Sequence, residues 1–205
     1  HLFFRYKIFY KRKNYSQFDE DIFLTEFFKK KKKGKFVDLG AFHPIRYNNT
    51  YLLYRKGWNG TNIDLNQTSI DMFNIVRSRD NNKCALISNE RNKKETVYFE
   101  HNFSAVNSLT YRKGLEIKRE MKTEIFNDIV EGKIDFLNID LEGADFDALK
   151  SLNFETYRPK LICVEIHDKD IENSEINIFL KKLNYTKKWS ATFSHLYTDN
   201  LINFD

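Results

Sequence analysis

Four of the five apolar runs that are predicted to be core strands end in an acidic residue. Asp38 ends the first run, Asp64 the second and Asp140 the fourth, while Glu165 ends the fifth, followed closely by His167. In an open parallel sheet, ligands bind beyond the carboxyl ends of the strands, at the point where the strand order reverses. One or two such acids would be unremarkable. Four predict a single site that distant parts of the chain build together.

The first acid is followed by a tight turn with one glycine, Asp38-Leu-Gly40. A dinucleotide-binding turn would also carry glycines at the positions of Phe42 and Ile45, because a pyrophosphate needs close backbone approach there. The sequence therefore disfavours nicotinamide and flavin cofactors, and it also lacks the Gly-x-x-x-x-Gly-Lys motif of a P-loop. Asp64 is placed to accept hydrogen bonds from ribose hydroxyls. The pattern fits a nucleoside without a pyrophosphate, which is what S-adenosylmethionine presents.

Alternating strands and helices are predicted to position these acids. The predicted core strands cover residues 35–39, 61–64, 83–87, 134–140 and 160–166, with further strands at 95–100, 185–189 and 193–197. The predicted helices cover residues 16–30, 48–56, 68–79, 144–152 and 171–183, and residues 102–122 are predicted to be loop with a helical piece. Short apolar strands alternating with helices are typical of a parallel sheet covered on both faces. The predicted fold class is α/β, doubly wound.

The first helix is predicted from a capping box. Ser16 followed by Asp19 resembles such a box, and the helix that it opens would turn Phe18, Ile22 and Phe27 inward.

The net charge of +5 comes from one segment of the chain. Removing the run of five lysines at 29–33 leaves 29 basic and 29 acidic residues. The remainder has no basic excess for a phosphate backbone, so no nucleic-acid partner is expected. The run itself is predicted to be the solvated end of a helix.

Length and composition fit a single folded domain. The chain has 205 residues, of which 41% are hydrophobic and 16% aromatic, which excludes a disordered chain. Residues 15–205 are predicted to form the domain. The basic and aromatic residues 1–14 could contact a membrane surface weakly or pack on a missing partner. No apolar run approaches the roughly 18 residues of a membrane span.

Cys84 and Cys163 are predicted to be buried free thiols in strands, which indicates a cytoplasmic protein.

Four segments of the sequence resemble one known family. They are Tyr-Ser-Gln-Phe-Asp-Glu-Asp (15–21), Phe-Val-Asp-Leu-Gly-Ala-Phe-His-Pro (36–44), Gly-Trp-Asn-Gly-Thr-Asn-Ile-Asp (57–64) and Ile-Asp-Phe-Leu-Asn-Ile-Asp-Leu-Glu-Gly (134–143), and the similarity extends through 158–165. On these residues the chain resembles the FkbM family of class I S-adenosylmethionine-dependent methyltransferases. The resemblance implies a seven-stranded sheet of order 3-2-1-4-5-7-6 with the last strand antiparallel. It also implies methyl transfer to a hydroxyl of a sugar, a glycan or a related molecule.

The resemblance also implies roles for individual residues in binding S-adenosylmethionine. The cofactor turn would consist of Asp38, Gly40 and Ala41. The methionine carboxylate would meet Asn49 and Thr50, the ribose Asp64, and the adenine Ser88. Gln17 belongs to a family-like segment as a further cofactor residue. Many members carry glycine where this chain has Pro44.

Methyl transfer from a sulfonium is an in-line displacement, and a sugar hydroxyl needs a base or a metal to assist it. The predicted base is His167 or Glu142, with Asp140 steering the cofactor or the acceptor. Two alternatives remain: His167 is a solvated loop residue, and Glu142 caps the helix that follows it. A divalent cation held by Asp140, Glu165 and His167 is a further alternative but is not expected. His43 is interpreted as part of the cofactor loop.

The sequence leaves three functions open. The leading one is a cytoplasmic O-methyltransferase acting on a sugar, glycan or related small molecule. The second is methylation of a nucleic acid or protein, which would need a basic or aromatic acceptor surface. The third is a binding domain that has kept the fold without the chemistry, in which the acids at the strand ends would be missing.

Overall fold

The computed structural model describes residues 13–104 and 106–201, so nearly all of the predicted N-terminal segment 1–14 lies outside the described residues. Within them, the helices are α1 (Glu20–Phe27), α2 (Tyr51–Arg55), α3 (Gln67–Val76), α4 (Phe126–Ile129), α5 (Asp145–Ser151) and α6 (Glu175–Lys182). The strands are β1 (Lys35–Leu39), β2 (Asn59–Asp64), β3 (Asn81–Cys84), β4 (Leu86–Ile87), β5 (Lys94–Phe99), β6 (Asn107–Ser108), β7 (Ile117–Glu124), β8 (Phe136–Ile139), β9 (Leu161–Glu165), β10 (Tyr185–Ser190) and β11 (Ser194–Asp199).

Seven strands form the main sheet, in the order β3-β2-β1-β8-β9-β11-β10. Counted among its own members in chain order, this is 3-2-1-4-5-7-6. In this sheet, β3, β2, β1, β8 and β9 pair in parallel with their neighbours, and β11 runs antiparallel to both β9 and β10. The expected α/β fold and strand order are therefore confirmed. The order reverses between β1 and β8, where Asp38 lies opposite Asn138 in the register.

The sheet is covered on both faces, and strand alternation decides which side chain meets which layer. One core packs α4, α5 and α6 against Val37, Leu39 and their neighbours. The other packs α1 and α2 against Phe36, Phe136 and the buried Trp58. Asp38 follows Phe36 by two positions, so it points to the α1 and α2 side.

A second sheet, in the order β4-β7-β5-β6, corrects the prediction for residues 102–122. That stretch contains strand β6 and most of β7 instead of a helical piece. The eight-residue β7 alternates in burial, with Met121 turned inward and Lys122 exposed, because only one of its faces packs. The predicted third strand at 83–87 is divided, since β3 belongs to the main sheet and β4 pairs with β7.

Helix α1 begins four residues later than predicted. Asp19 has a left-handed φ of 70° and its side chain makes no capping hydrogen bond, while the Ser16 hydroxyl bonds to Asp21. Ile22 is 42% exposed, so the prediction that it faces inward is wrong, and Leu24 is buried instead. The lysine run follows the end of α1 and is exposed except for Lys31.

Cys163 is buried in β9, while Cys84 lies half-buried in the edge strand β3. Three strands separate the two free thiols. Among the described residues, no helix has the length and apolar character that crossing a bilayer requires.

Candidate active site

Asp38, the first of the strand-end acids, is enclosed by side-chain donors. Its carboxylate accepts hydrogen bonds from Asn48 Nδ2 at 3.2 Å, Thr50 Oγ1 at 2.9 Å and Asn138 Nδ2 at 2.9 Å. Burial raises the pKa of Asp38, while the Arg77 guanidinium and these three bonds oppose that rise. Asp38 is only 1% exposed, so it supports the edge of the site from inside the protein.

The turn after Asp38 requires its glycine. Gly40 has a φ of 77°, and a Cβ atom placed there would lie 1.7 Å from the backbone oxygen of Asp140. The amides of Gly40 and Ala41 both donate to the carbonyl of Ile63, at 2.9 and 3.1 Å. Gly40 therefore allows the ends of β1, β2 and β8 to approach one another closely.

Asp64 lies beside this turn, at the end of β2. One of its oxygens accepts the amide of Phe42 at 2.8 Å, and the other accepts the amide of Asn66 at 2.7 Å. Burial raises the pKa of Asp64 to about 6, and these bonds partly offset the rise. Each oxygen keeps acceptor capacity beyond its one backbone donor.

A cleft of about 200 Å³ opens along Asp64 and Gly40. Its apolar lining includes Ala85, Leu86 and Ile87, which follow β3. Strand β6 and the residues after it, up to Arg112, supply a further wall. Ser88, which was predicted to lie near an adenine, is the next residue along and does not line this cleft. Its amide donates instead to the carbonyl of Glu124.

A smaller depression of about 20 Å³ adjoins the cleft at Gly40, with space for about one water molecule. It brings together six of the predicted site residues: Gln17, Asp38, Gly40, Ala41, Asn49 and Asp140. The Asn49 amide donates to Asn138 Oδ1 at 2.8 Å. Thr50 is buried behind this depression. Glu20 and Tyr47, which are not among the predicted site residues, also line it.

The residues predicted to assist catalysis lie along the same edge of the sheet, towards β9. His167 Nε2 lies 2.9 Å from Glu165 Oε2, and the imidazole is about half exposed. Asp140 keeps an open surface, yet its pKa is raised well above the usual value by the protein around it and by the Glu165 carboxylate. A depression of about 280 Å³ contains both Glu165 and His167.

Glu142 lines the cleft, and the next residue, Gly143, lines both the cleft and this depression. The φ of Glu142, 52°, is left-handed, an uncommon conformation for a residue with a side chain. Burial raises the pKa of Glu142 most, and the Glu165 carboxylate raises it further, whereas His167 lowers it. The alternative in which Glu142 caps α5 is wrong. Asp145 accepts the amides of Leu141 and Gly143 instead, at 2.8 and 3.0 Å.

His43 belongs to the loop, as interpreted from the sequence. Its Nδ1 accepts the amides of Ile45 and Arg46, and burial lowers its pKa to about 4. Across residues 13–104 and 106–201, no group of three or more His, Cys, Asp or Glu side chains is arranged to hold a metal ion. The metal alternative at Asp140, Glu165 and His167 thus gains no support.

Arg77 is a residue of the site that sequence reasoning missed. It is fully buried and contacts Asp80, Asn48 and Thr50. Its partners at 48 and 50 are distant in sequence, and no local pattern marks it. Asn138 was also missed, although a polar residue inside an apolar strand, two positions before Asp140, was an available signal.

Comparisons with known proteins identify the family of this domain. A family model described as the methyltransferase FkbM domain matches residues 25–187. The chain is similar in structure to methyltransferase FkbM from Methylobacillus flagellatus KT, with a TM-score of 0.56 and 14% identity, over 82% of this chain and 44% of that one. It is also similar to a TehB-like SAM-dependent methyltransferase from Corynebacterium glutamicum ATCC 13032 Kitasato, with a TM-score of 0.47 and 10% identity, over 96% of this chain and 95% of that one. No curated protein matches.

At 14% identity, the likeness to the M. flagellatus protein concerns the fold alone. The chain spans less than half the length of the M. flagellatus protein. The family match is broader, since it begins within α1, ends within β10 and includes the glycine turn and the acids at the strand ends. Because that model covers most of the chain, this protein belongs to the methyltransferase FkbM domain family.

Proposed function

We propose that this domain binds S-adenosylmethionine at the carboxyl edge of its sheet and transfers the methyl group to a hydroxyl of a sugar, a glycan or a related small molecule. The observation that carries the proposal is the cleft in which Asp64 and the Gly40 turn adjoin an apolar lining. When bound, the cofactor supplies an electrophilic methyl group on a sulfonium. The chain's own residues must hold that molecule and prepare the acceptor.

The cleft suits the nucleoside part of the cofactor. Ala85, Leu86 and Ile87 offer an apolar surface for an adenine ring. Asp64 offers two oxygens, each with one backbone donor, to the ribose hydroxyls. Ile87 thereby takes the position beside the adenine that the resemblance gave to Ser88.

The small depression suits the charged tail but has to open to admit it. Glu20 and Asp140 line it and match the positive charge of an ammonium or a sulfonium. Asn49 lines it with a side-chain amide that can meet a carboxylate, whereas Thr50 is fully buried and occupied by Asp38 and Arg77. A space of about 20 Å³ cannot hold an amino-acid tail, so binding moves the segments of Gln17 and Tyr47 that line it.

His167 is the proposed base. Its imidazole accepts the proton of the acceptor hydroxyl at one ring nitrogen, while Glu165 holds the other and stabilises the cation that forms. Asp140 lies beside Glu165 and steers the cofactor or the acceptor. Glu142 is the second candidate for the base, because its raised pKa suits proton transfer nearer neutrality.

Cofactor binding is tested by titration calorimetry with S-adenosylhomocysteine. Asp64→Ala should weaken binding about tenfold or more, since it removes two acceptors for hydroxyl groups. Asp71→Asn, at an exposed position of α3, is the control and should bind like the parent protein. A folded parent protein that binds no S-adenosylhomocysteine would refute the cofactor.

The acceptor class is tested with methyl-labelled S-adenosylmethionine and separated fractions of glycans, nucleic acids and proteins. Label in the glycan or small-molecule fraction, on oxygen, is the expected result. Label confined to nucleic acid or protein would overturn the acceptor proposed here. The cytoplasmic location stays a prediction, which fractionation of expressing cells would check.

A further inference from the structure

We infer that Arg77 is a positioning residue for cofactor binding, because it donates to Asn48 and Thr50, two of the three side chains that hold Asp38 behind the glycine turn. This inference rests on the proposed function. Arg77 lies at the end of α3 and lines neither the cleft nor the small depression, so it would act through Asn48 and Thr50.

Arg77 is placed to act in this way by a dense set of contacts. The side chain is fully buried, and its Nε donates to Asp80 Oδ2 at 2.8 Å. Its Cζ lies 5.0 Å from the ring centroids of Phe36 and Tyr54 and 5.2 Å from that of Phe73. Cation–π contact and the ion pair together confine the guanidinium to one position.

From that position, Nη1 donates in two directions. It lies 3.0 Å from Asn48 Oδ1 and 2.9 Å from Thr50 Oγ1. Guanidinium can only donate, so both oxygens must act as acceptors towards it. The Thr50 hydroxyl then has two acceptors within reach, Asp38 Oδ2 at 2.9 Å and Asn48 Oδ1 at 3.0 Å, and the carboxylate is the stronger of the two.

The amide of Asn48 is oriented in the same way. With Oδ1 towards Arg77 and the Thr50 amide, its Nδ2 faces Asp38 at 3.2 Å and the Ala41 carbonyl at 3.3 Å. Asn48 therefore joins the arginine to the cofactor turn itself. On its other side, Asp38 holds Asn138, which accepts from Asn49 in the small depression.

Charge completes the argument. A buried carboxylate among donors needs a nearby cation to stay ionised, and Arg77 is the cation whose field opposes the raised pKa of Asp38. The other charged groups around the pair of Asp38 and Arg77 are acidic: Glu20 on α1, Asp64 on β2, Asp80 after α3 and Asp140 after β8. Without Arg77, the pKa of Asp38 would rise further, which favours the protonated form and with it the loss of an acceptor oxygen.

The test compares the parent protein, Arg77→Met and Arg158→Met. Arg158 forms an ion pair with Asp199 at 2.7 Å at the opposite edge of the sheet, so its loss should cost stability away from the site. Binding of S-adenosylhomocysteine is measured by calorimetry from pH 6.5 to 9, together with thermal unfolding.

Arg77→Met should bind about tenfold more weakly at pH 7, and the loss should become smaller towards pH 9, because a higher pH favours the ionised form of Asp38. Arg158→Met should unfold at a lower temperature and bind like the parent. Equal affinity in Arg77→Met, or a loss that does not change with pH, would overturn the inference. A parent that does not bind would instead refute the proposed function.

Thr50→Val provides a second route if Arg77→Met does not fold. It keeps Arg77 and removes the hydroxyl between the arginine and Asp38, so several-fold weaker binding is expected. Thr50→Ser keeps that hydroxyl and should restore the parent affinity. Parent-like binding by Thr50→Val would overturn the inference.

Discussion

Asp64 should make folding and cofactor binding respond to pH in opposite directions. Its pKa is raised by burial from 3.8 to about 6. A carboxyl whose pKa is raised on folding favours the folded state below its unfolded pKa, and this contribution is lost as the pH rises through the folded pKa. The rise corresponds to about 3 kcal/mol in all, of which about 2 kcal/mol falls between pH 4.5 and 7.5.

The variant Asp64→Asn isolates this contribution, because it keeps the shape of the side chain and removes its titration. The free energy of unfolding is measured by urea denaturation for the parent and the variant at pH 4.5 and 7.5. The parent minus variant difference should fall by about 2 kcal/mol between the two pH values. A difference that is constant within about 0.5 kcal/mol would show that Asp64 is not destabilised by ionisation.

Binding should follow the opposite course. Ribose hydroxyls need the ionised carboxylate as an acceptor, so the affinity of the parent for S-adenosylhomocysteine should decline as the pH falls below about 6. The affinity of Asp64→Asn should be weaker throughout and should lack this decline. If both proteins lose affinity in parallel on acidification, another group controls binding. A site that destabilises the fold at the pH where it binds is typical of functional residues.

Two further predictions concern the turn and the base. Gly40→Ala would place a Cβ atom 1.7 Å from a backbone oxygen, so we expect it to lose about 3 kcal/mol or more of stability by urea unfolding, together with cofactor binding. Gly57→Ala has a similar positive φ and open space around it, so it should cost about 1 kcal/mol, and an equal cost for both would refute the close-approach argument. His167→Gln should lower the rate of methyl transfer about a hundredfold or more and leave the affinity for S-adenosylhomocysteine unchanged. An unchanged rate would transfer the role of base to Glu142.

The main sheet was predictable because its strands are buried on both sides. Residues 35–39, 134–140 and 160–166 are nearly continuous apolar runs, and the acids at their ends mark the carboxyl edge. Strand β7 was missed because it packs on one face only. Its sequence, Ile-Lys-Arg-Glu-Met-Lys-Thr-Glu, is charged enough to resemble a loop, although Ile117, Met121 and Thr123 are turned inward at alternate positions. The wall of the cleft at 107–112 depends on that second sheet, so it was unpredictable as well.

The roles of single residues were harder to predict than their location. The start of α1 was misplaced because the Ser16 hydroxyl bonds to Asp21 instead of forming a capping box with Asp19: it donates to the Asp21 carboxylate at 2.8 Å and accepts the Asp21 amide at 3.3 Å. Arg77 could not be identified because its buried position follows from the packing of α3 against β2 and β3, which only the folded chain shows. In both cases a local pattern competes with a contact made in three dimensions.

The acids at the strand ends illustrate how the fold assigns different chemistry to similar residues. Asp38 lies one position inside β1, so the alternation of the strand turns it towards α2, where Asn48 and Thr50 satisfy it. Asp64 is the last residue of β2, so its carboxylate meets the amides of the turns beyond the sheet and keeps capacity for a ligand. Their spacing in sequence gives no sign of this difference. A shift of one residue at the end of a strand is enough to exchange a supporting role for a binding one, and the unequal pH responses predicted for Arg77→Met and Asp64→Asn are how that difference should be seen in solution.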